Sequence, residues 1–259
     1  MTNNRRYWTE KKERATQAAF HVKYLHENYE KELQKEYEAT TVYSKETHLD
    51  DGQKGSPVQM FLNTDSVSAV FQMAKENPKS RIAILNFASY KQPGGMYLEG
   101  SKAQEECLCT ESSLYPVLEM FKDSYYAENS KNLNRALYTD RALYTQGVLF
   151  ARTGEKMVKA DVLTCAAPNF SAASKYAKVS KEENSKVLEQ RIKFVKEILQ
   201  TEDAVIWILG AWGCGVFGQD PAEVAELFDK HCKDAACEKI VYAVPGNDAT
   251  AKIFRRKFE

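Results

Sequence analysis

Residues 81–106, RIAILNFASYKQPGGMYLEGSKAQEE, carry the reading that decides the fold. Arg81–Phe87 is a short, near-continuous apolar run, the pattern of a strand buried on both faces. Pro93, Gly94 and Gly95 then turn the chain into a loop, and Gln104, Glu105 and Glu106 open a helix. Strand, glycine loop and helix together form the repeating unit of a parallel α/β sheet. A second such unit runs from the apolar strand 204–209 through the loop GAWGCGVFG (210–218). Its helix starts at Asp220-Pro221-Ala222-Glu223, with a capping acid, proline at the first helical position and glutamate three residues after the cap.

Outward from these two units, strands and helices continue to alternate. Val58–Leu62 reads as a strand, and Asp65 as the cap of a helix with the stripe Val67, Val70, Phe71 and Ala74, stopped at Asn77-Pro78. Further strands are predicted near 141–151, 161–166 and 239–244, and the helix between the strands 161–166 and 204–209 has the face Leu188, Ile192, Val195 and Leu199. The first forty residues predict one amphipathic helix, its stripe being Ala18, Val22, Leu25, Tyr29, Leu33 and Tyr37. The polar stretch 44–57 reads as a loop. No repeat or linker divides the chain. The expectation is an α/β sandwich with a largely parallel sheet, one domain over 1–259, and residues 1–45 as an N-terminal helical extension packed on it.

Composition sets the outer limits. With 259 residues, 43% of them hydrophobic and 28% charged, the chain is long enough and mixed enough to bury a real core. Lys+Arg and Asp+Glu both number 36, a balance that argues against broad, salt-driven binding to DNA or RNA. No apolar run reaches the length of a membrane span. The start, MTNNRRYWTEKKERA, lacks the apolar core of a signal peptide, so the expected location is cytoplasmic and the six cysteines are expected to be reduced thiols. His231, Cys232 and Cys237 offer three metal-ligating side chains, but no CxxC pair accompanies them, and no metal or organic cofactor is expected.

Both glycine loops sit where ligands bind in open parallel sheets, beyond the carboxyl ends of strands. Either alone is explained as a tight turn; the two together favour a phosphate-bearing ligand approached by backbone N–H groups. The second is not a Walker motif, since no Lys-Ser/Thr follows its last glycine, nor a Rossmann fingerprint, which belongs on the first βα turn with an acidic residue ending the next strand. Glu105 and Glu106 point about 100° apart on a helix, so one at most faces a reacting atom while the other orients the substrate. Acids at a helix start also simply complement the macrodipole, and burial there opposes the dipole in setting a carboxyl's pKa. Asn86, closing a buried strand, suits either a sugar hydroxyl or a local turn; Phe217 suits either base stacking or core packing. Cys214 has no histidine nearby in sequence to make a Cys–His nucleophile.

Residues 85–116, LNFASYKQPGGMYLEGSKAQEECLCTESSLYP, resemble the signature of the bacterial-type poly(ADP-ribose) glycohydrolases: three glycines, a short spacer, then Gln-Glu-Glu. Residues 143–152, 161–169 and 208–225 are similar to the same family, so the resemblance spans about 7–245. It implies a macrodomain-like three-layer α/β/α sandwich with a mixed, largely parallel sheet. It also implies hydrolysis of the ribose–ribose O-glycosidic bonds of poly(ADP-ribose), releasing ADP-ribose. By the resemblance, Glu106 is the catalytic acid/base and Glu105 holds the substrate ribose. Asn86 contacts the distal ribose, and Gly94 and Gly95 line the diphosphate. Gln104 and the loop Gly213, Cys214, Gly215, Val216, Phe217 and Gly218 bind substrate, with Phe217 near the adenine and Asp65 reading its amino group. Met96 replaces the third glycine; if that position needs a positive φ, the methionine carries a backbone cost of about 1 kcal/mol. The alternatives are a macrodomain that only binds ADP-ribose and a hydrolase acting on mono-ADP-ribosylated protein.

Overall fold

A computed structural model describes residues 2–47, 49 and 54–259, and the side chains from residue 9 onward. Seven strands form one sheet: β1 (Thr40–Ser44), β2 (Val58–Leu62), β3 (Ile82–Phe87), β4 (Arg141–Phe150), β5 (Val158–Cys165), β6 (Ile206–Leu209) and β7 (Lys239–Ala243). Their order is β1-β4-β5-β3-β6-β7-β2. The five strands from β5 to β2 run parallel, while β4 pairs antiparallel with β5 and β1 antiparallel with β4.

Period-two alternation along β3 assigns its side chains to two separate cores. Ala83 and Leu85 face one, Ile82 and Ile84 the other. The first core is covered by α5 (Lys181–Thr201), α6 (Pro221–Cys232) and α7 (Ala249–Phe258), through residues such as Leu188, Val195, Phe228 and Phe254. The second lies under α1 (Thr2–Glu38), α2 (Ser66–Glu76), α3 (Gln104–Thr110) and α4 (Leu114–Met120), through Leu25, Leu33, Val70, Leu108 and Val117. The result is the three-layer α/β/α sandwich with a mixed, largely parallel sheet. From β3 the chain crosses to β4 and β5 on one side and later to β6 and β7 on the other. The carboxyl ends of β3 and β6 therefore flank a topological switch point, where an open sheet leaves a crevice.

Several expectations change in detail. The N-terminal stripe faces the body as predicted, with Ala18, Leu25 and Leu33 buried and Val22, Tyr29 and Tyr37 packed beside them. The helix ends at Glu38, however, and departs from helical geometry at Tyr29 (φ −130°, ψ 21°). Thr40–Ser44 is an edge strand rather than the end of a helix, because TTVYS pairs with β4 from Thr145 to Arg141 and buries Tyr43. The loop predicted over 44–57 lies partly outside the described residues, at 48 and 50–53. Among the described residues, no helix is long and apolar enough to cross a membrane.

Candidate active site

Glu105 and Glu106 begin α3 at the switch point, 3% and 6% exposed. Although adjacent helical positions diverge, both carboxylates converge on the glycine loop. A Cβ on Gly95 would lie 2.7 Å from Glu106 Oε1 and 2.9 Å from Glu105 Oε2, and Gly95 itself sits at φ +61°. Any larger residue there would be strained and would displace both acids. Gly94, at φ +64°, has the Tyr115 ring 2.5 Å from its missing Cβ. These glycines are thus required to seat the loop against Tyr115 and the acids, apart from any contact with a diphosphate.

The two acids have different surroundings. Glu105 Oε1 accepts from Asn86 Nδ2 at 3.2 Å, and its Oε2 accepts from the Ser89 N–H at 2.7 Å. Burial pushes the Glu105 carboxyl from an ordinary 4.5 up to about 8, against the pull of the Ser89 and Asn86 bonds and with some help from the Glu106 charge. Burial therefore prevails over the helix start at this position. Glu106 accepts one bond at Oε1, from the Met96 N–H at 3.0 Å. Its Oε2 is buried and has no hydrogen-bond partner among the described residues, and the same holds for Asn86 Oδ1. Asn86 Nδ2 also reaches Thr164 Oγ1 at 3.3 Å. Two buried acceptors left unmatched in one site call for donors from outside the chain, which ribose hydroxyls can supply.

Gln104 is placed beside the acids, but its amide is spent on strand β3. Its Oε1 accepts from the Phe87 N–H at 2.8 Å, and its Nε2 donates to Leu85 O at 3.0 Å and Ser66 Oγ at 3.2 Å. It positions α3 on the strand. Next to it opens a mainly apolar pocket of about 210 Å³, lined among others by Asp65, Phe87, Lys102, Gln104, Ala211 and Val244. Whole small-molecule sites run to about 300–1,000 Å³, so this space suits a single ring system. Asp65 stands half-exposed at its wall and caps α2, its two oxygens accepting from the Ser68 N–H at 2.9 Å and Ser68 Oγ at 2.6 Å. Burial alone would raise its pKa; the Ser68 bonds and Arg152 outweigh that and hold it below the usual value.

The family-level observation is a match of residues 10–153, over half of the chain, to the model of the microbial-type PARG catalytic domain, PARG being poly(ADP-ribose) glycohydrolase. The chain belongs to this family. Among solved structures it is similar to the poly(ADP-ribose) glycohydrolase of Thermomonospora curvata, at 28% identity and a TM-score of 0.83, over 95% of this chain and 99% of that one. The same enzyme bound to the inhibitor ADP-HPD matches at 26% identity and a TM-score of 0.80, over 95% and 98%. The Deinococcus radiodurans enzyme in complex with ADP-ribose matches at 31% identity and a TM-score of 0.76, over 88% of this chain and 97% of that one. No curated protein matches.

Within this PARG fold the second glycine loop closes the other side of the crevice. Gly213 (φ +75°) and Gly218 (φ +70°) are glycine for packing, since Cβ atoms there would collide with Gln219 and Ala167, and with Ser171. Only Gly215 has open space around it, and Val216 beside it is 85% exposed, so the loop tip is free to approach a ligand. Cys214 is a partly buried thiol that burial pushes up to about 12, so a thiolate nucleophile is disfavoured. Phe217 meets the edge of Tyr138 at 6.0 Å, and Tyr138 stacks on Tyr90 at 4.3 Å. The reading of the sequence missed both tyrosines. Tyr90 lies four residues beyond Asn86, but Tyr138 gives no local signal: it holds φ +61° without being glycine, in a segment whose Ala136 carbonyl accepts from the Asn169 N–H at 2.9 Å.

Met96 departs from the family's three glycines without backbone strain, because the left-handed residues of this loop are Gly94, Gly95 and Gly100. Its side chain is 47% exposed and its N–H serves Glu106. The backbone cost expected for a methionine at this position therefore does not arise. His231 bonds Glu189 at 2.8 Å, and among the described residues no group of three or more His, Cys, Asp or Glu side chains is placed to hold a metal ion.

Proposed function

We propose that this protein hydrolyses the ribose–ribose O-glycosidic bonds of poly(ADP-ribose), releasing ADP-ribose, with Glu106 as general acid/base. The observation that carries the residue assignment is the asymmetry of Glu106: one oxygen is held by the Met96 N–H, and the other is buried without a partner. A single anchored carboxyl with one free oxygen can give a proton to the leaving ribose oxygen as an oxocarbenium-like ribose forms. The resulting carboxylate then takes a proton from the attacking water, which restores the acid. Ordinary glycosidases place two carboxyls on opposite sides of the bond. Here both acids lie on one side, and Glu105, tied to Asn86 and Ser89, serves to hold a ribose hydroxyl. The apolar pocket walled by Asp65 and Phe87 suits the adenine, and the loops at Gly94–Gly95 and Gly213–Gly218 suit the diphosphate.

The test is degradation of labelled poly(ADP-ribose) by the parent and by Glu106→Gln. Turnover is expected to fall by roughly 10²–10⁴-fold in the variant while ADP-ribose affinity changes little. A folded Glu106→Gln protein that degrades polymer at the parent rate would remove Glu106 from the mechanism. A parent that binds ADP-ribose and leaves polymer intact would make the protein a reader, and release of ADP-ribose from mono-modified protein alone would change the substrate class.

A further inference from the structure

We infer that α1 acts as a brace that sets the position of the Glu106 carboxyl, with Arg14 and His21 as the positioning residues. This rests on the reading of Glu106 given above. The chain of contacts starts at the Met96 N–H, the group that fixes Glu106 Oε1 at 3.0 Å. Met96 itself is held within a run of turns: Tyr97 N–H donates to Gly94 O at 3.1 Å, Gly100 N–H to Tyr97 O at 3.0 Å, and Ser101 N–H to Met96 O at 3.1 Å. The loop thus moves as one piece, and its outer end is fastened to α1. Arg14 Nε donates to Gly100 O at 2.8 Å, and His21 Nδ1 pairs with the Tyr97 hydroxyl at 2.9 Å.

The fit between loop and helix is close. Gly100 stands at φ +75°, and a Cβ there would collide with the Lys11 carbonyl and lie 2.9 Å from the Ala15 nitrogen. Only glycine lets the loop backbone lie directly on the helix backbone. Lys11 to His21 covers nearly three turns of α1, about 15 Å of rigid rod. Ala18 and Leu25 seat this part of α1 on the body, and beyond the break at Tyr29 its continuation is tied there by Glu36, which accepts from Ser113 Oγ at 2.6 Å and from the Leu149 N–H at 3.1 Å. Residues 85 and 92 positions before Glu106 in sequence, His21 and Arg14, therefore determine where its free oxygen stands. Misplacing a reacting group by about 1 Å costs on the order of 10²-fold in rate, so a loosened loop should reduce turnover more than binding.

Arg14→Met removes the bond to Gly100 and keeps the side chain's apolar bulk; Arg14→Lys retains a donor; His21→Phe removes the second tie. The readouts are kcat and KM on labelled polymer, ADP-ribose affinity, and amide hydrogen exchange across residues 94–101. Arg14→Met and His21→Phe are expected to lower kcat by about 10- to 100-fold, with KM and ADP-ribose affinity within about twofold of the parent. Arg14→Lys should recover most of the loss, and exchange over 94–101 should quicken in the two weaker variants. A parent-like kcat in both Arg14→Met and His21→Phe, or losses matched by equal losses of ADP-ribose affinity, would overturn the inference. If the parent itself fails to degrade polymer, the proposed activity falls. The exchange data then decide the brace separately: unchanged protection in Arg14→Met refutes it, and faster exchange confined to 94–101 supports it.

Discussion

Replacing Glu105 by glutamine should make the protein more stable at alkaline pH and less active. In the folded chain the Glu105 carboxyl titrates near pH 8 instead of 4.5, chiefly through burial. A carboxyl whose folded pKa is raised opposes folding once the unfolded chain has ionised it. The cost begins above pH 4.5, grows through neutrality and is complete above about pH 8. At 1.36 kcal/mol per pH unit, the interval from 4.5 to about 8 sets an upper bound of about 5 kcal/mol. The amide recovers less than that bound, because it offers one acceptor where the carboxylate offered two. Its carbonyl can keep the Ser89 N–H, and its NH2 then faces Asn86, whose unpartnered Oδ1 can turn to receive it. A gain of about 2–4 kcal/mol at pH 8.5, shrinking towards zero at pH 4, is expected. Urea unfolding of parent and variant across that range measures it. Comparing the two cancels other groups such as Glu36, which burial raises to about 7 and which the substitution leaves in place. A gap that stays flat with pH, or a variant less stable at pH 8.5, would refute the account of a buried, mostly neutral Glu105. Turnover should fall as well, since the turned Asn86 no longer presents its acceptor to the substrate.

Gly95→Ala would put a methyl against both carboxylates in a left-handed backbone, so a loss of at least about 1 kcal/mol in stability is expected with a near-complete loss of turnover, measured on the same samples. Met96→Gly keeps the N–H that anchors Glu106 and removes a half-exposed side chain. It should leave polymer degradation unchanged or faster while lowering stability by about 0.5–1 kcal/mol, and a large drop in activity would mark the methionine as a specific substrate contact. ADP-ribose should raise the melting temperature in proportion to the logarithm of its concentration above Kd; no shift at millimolar ligand would count against the two glycine loops as its site.

Much of this architecture is legible in the chain itself because its causes are local. The apolar run 82–87 has one way to satisfy its side chains, between two layers of helices, and the proline, glycines and acids that follow can form only a turn and a helix start. The same holds for the Asp65 and Asp220 caps, which accept from Ser68 and Ala222 N–H groups two or three residues on. Edge strand β1 is different: TTVYS becomes a strand only because β4, a hundred residues later, offers it a ladder. The presence of two adjacent acids behind the glycine loop is likewise readable from Gln104-Glu105-Glu106, but the division of their surroundings is not. That division depends on the Ser89 and Met96 N–H groups, which share the two carboxylates between them, and on burial, which raises Glu105. Tyr138 beside Phe217, and Gly100 seated on α1, bear no signal in the linear order. Their placement is set by long-range packing, where contact between distant segments, and not the local preference of any one residue, determines which groups face one another.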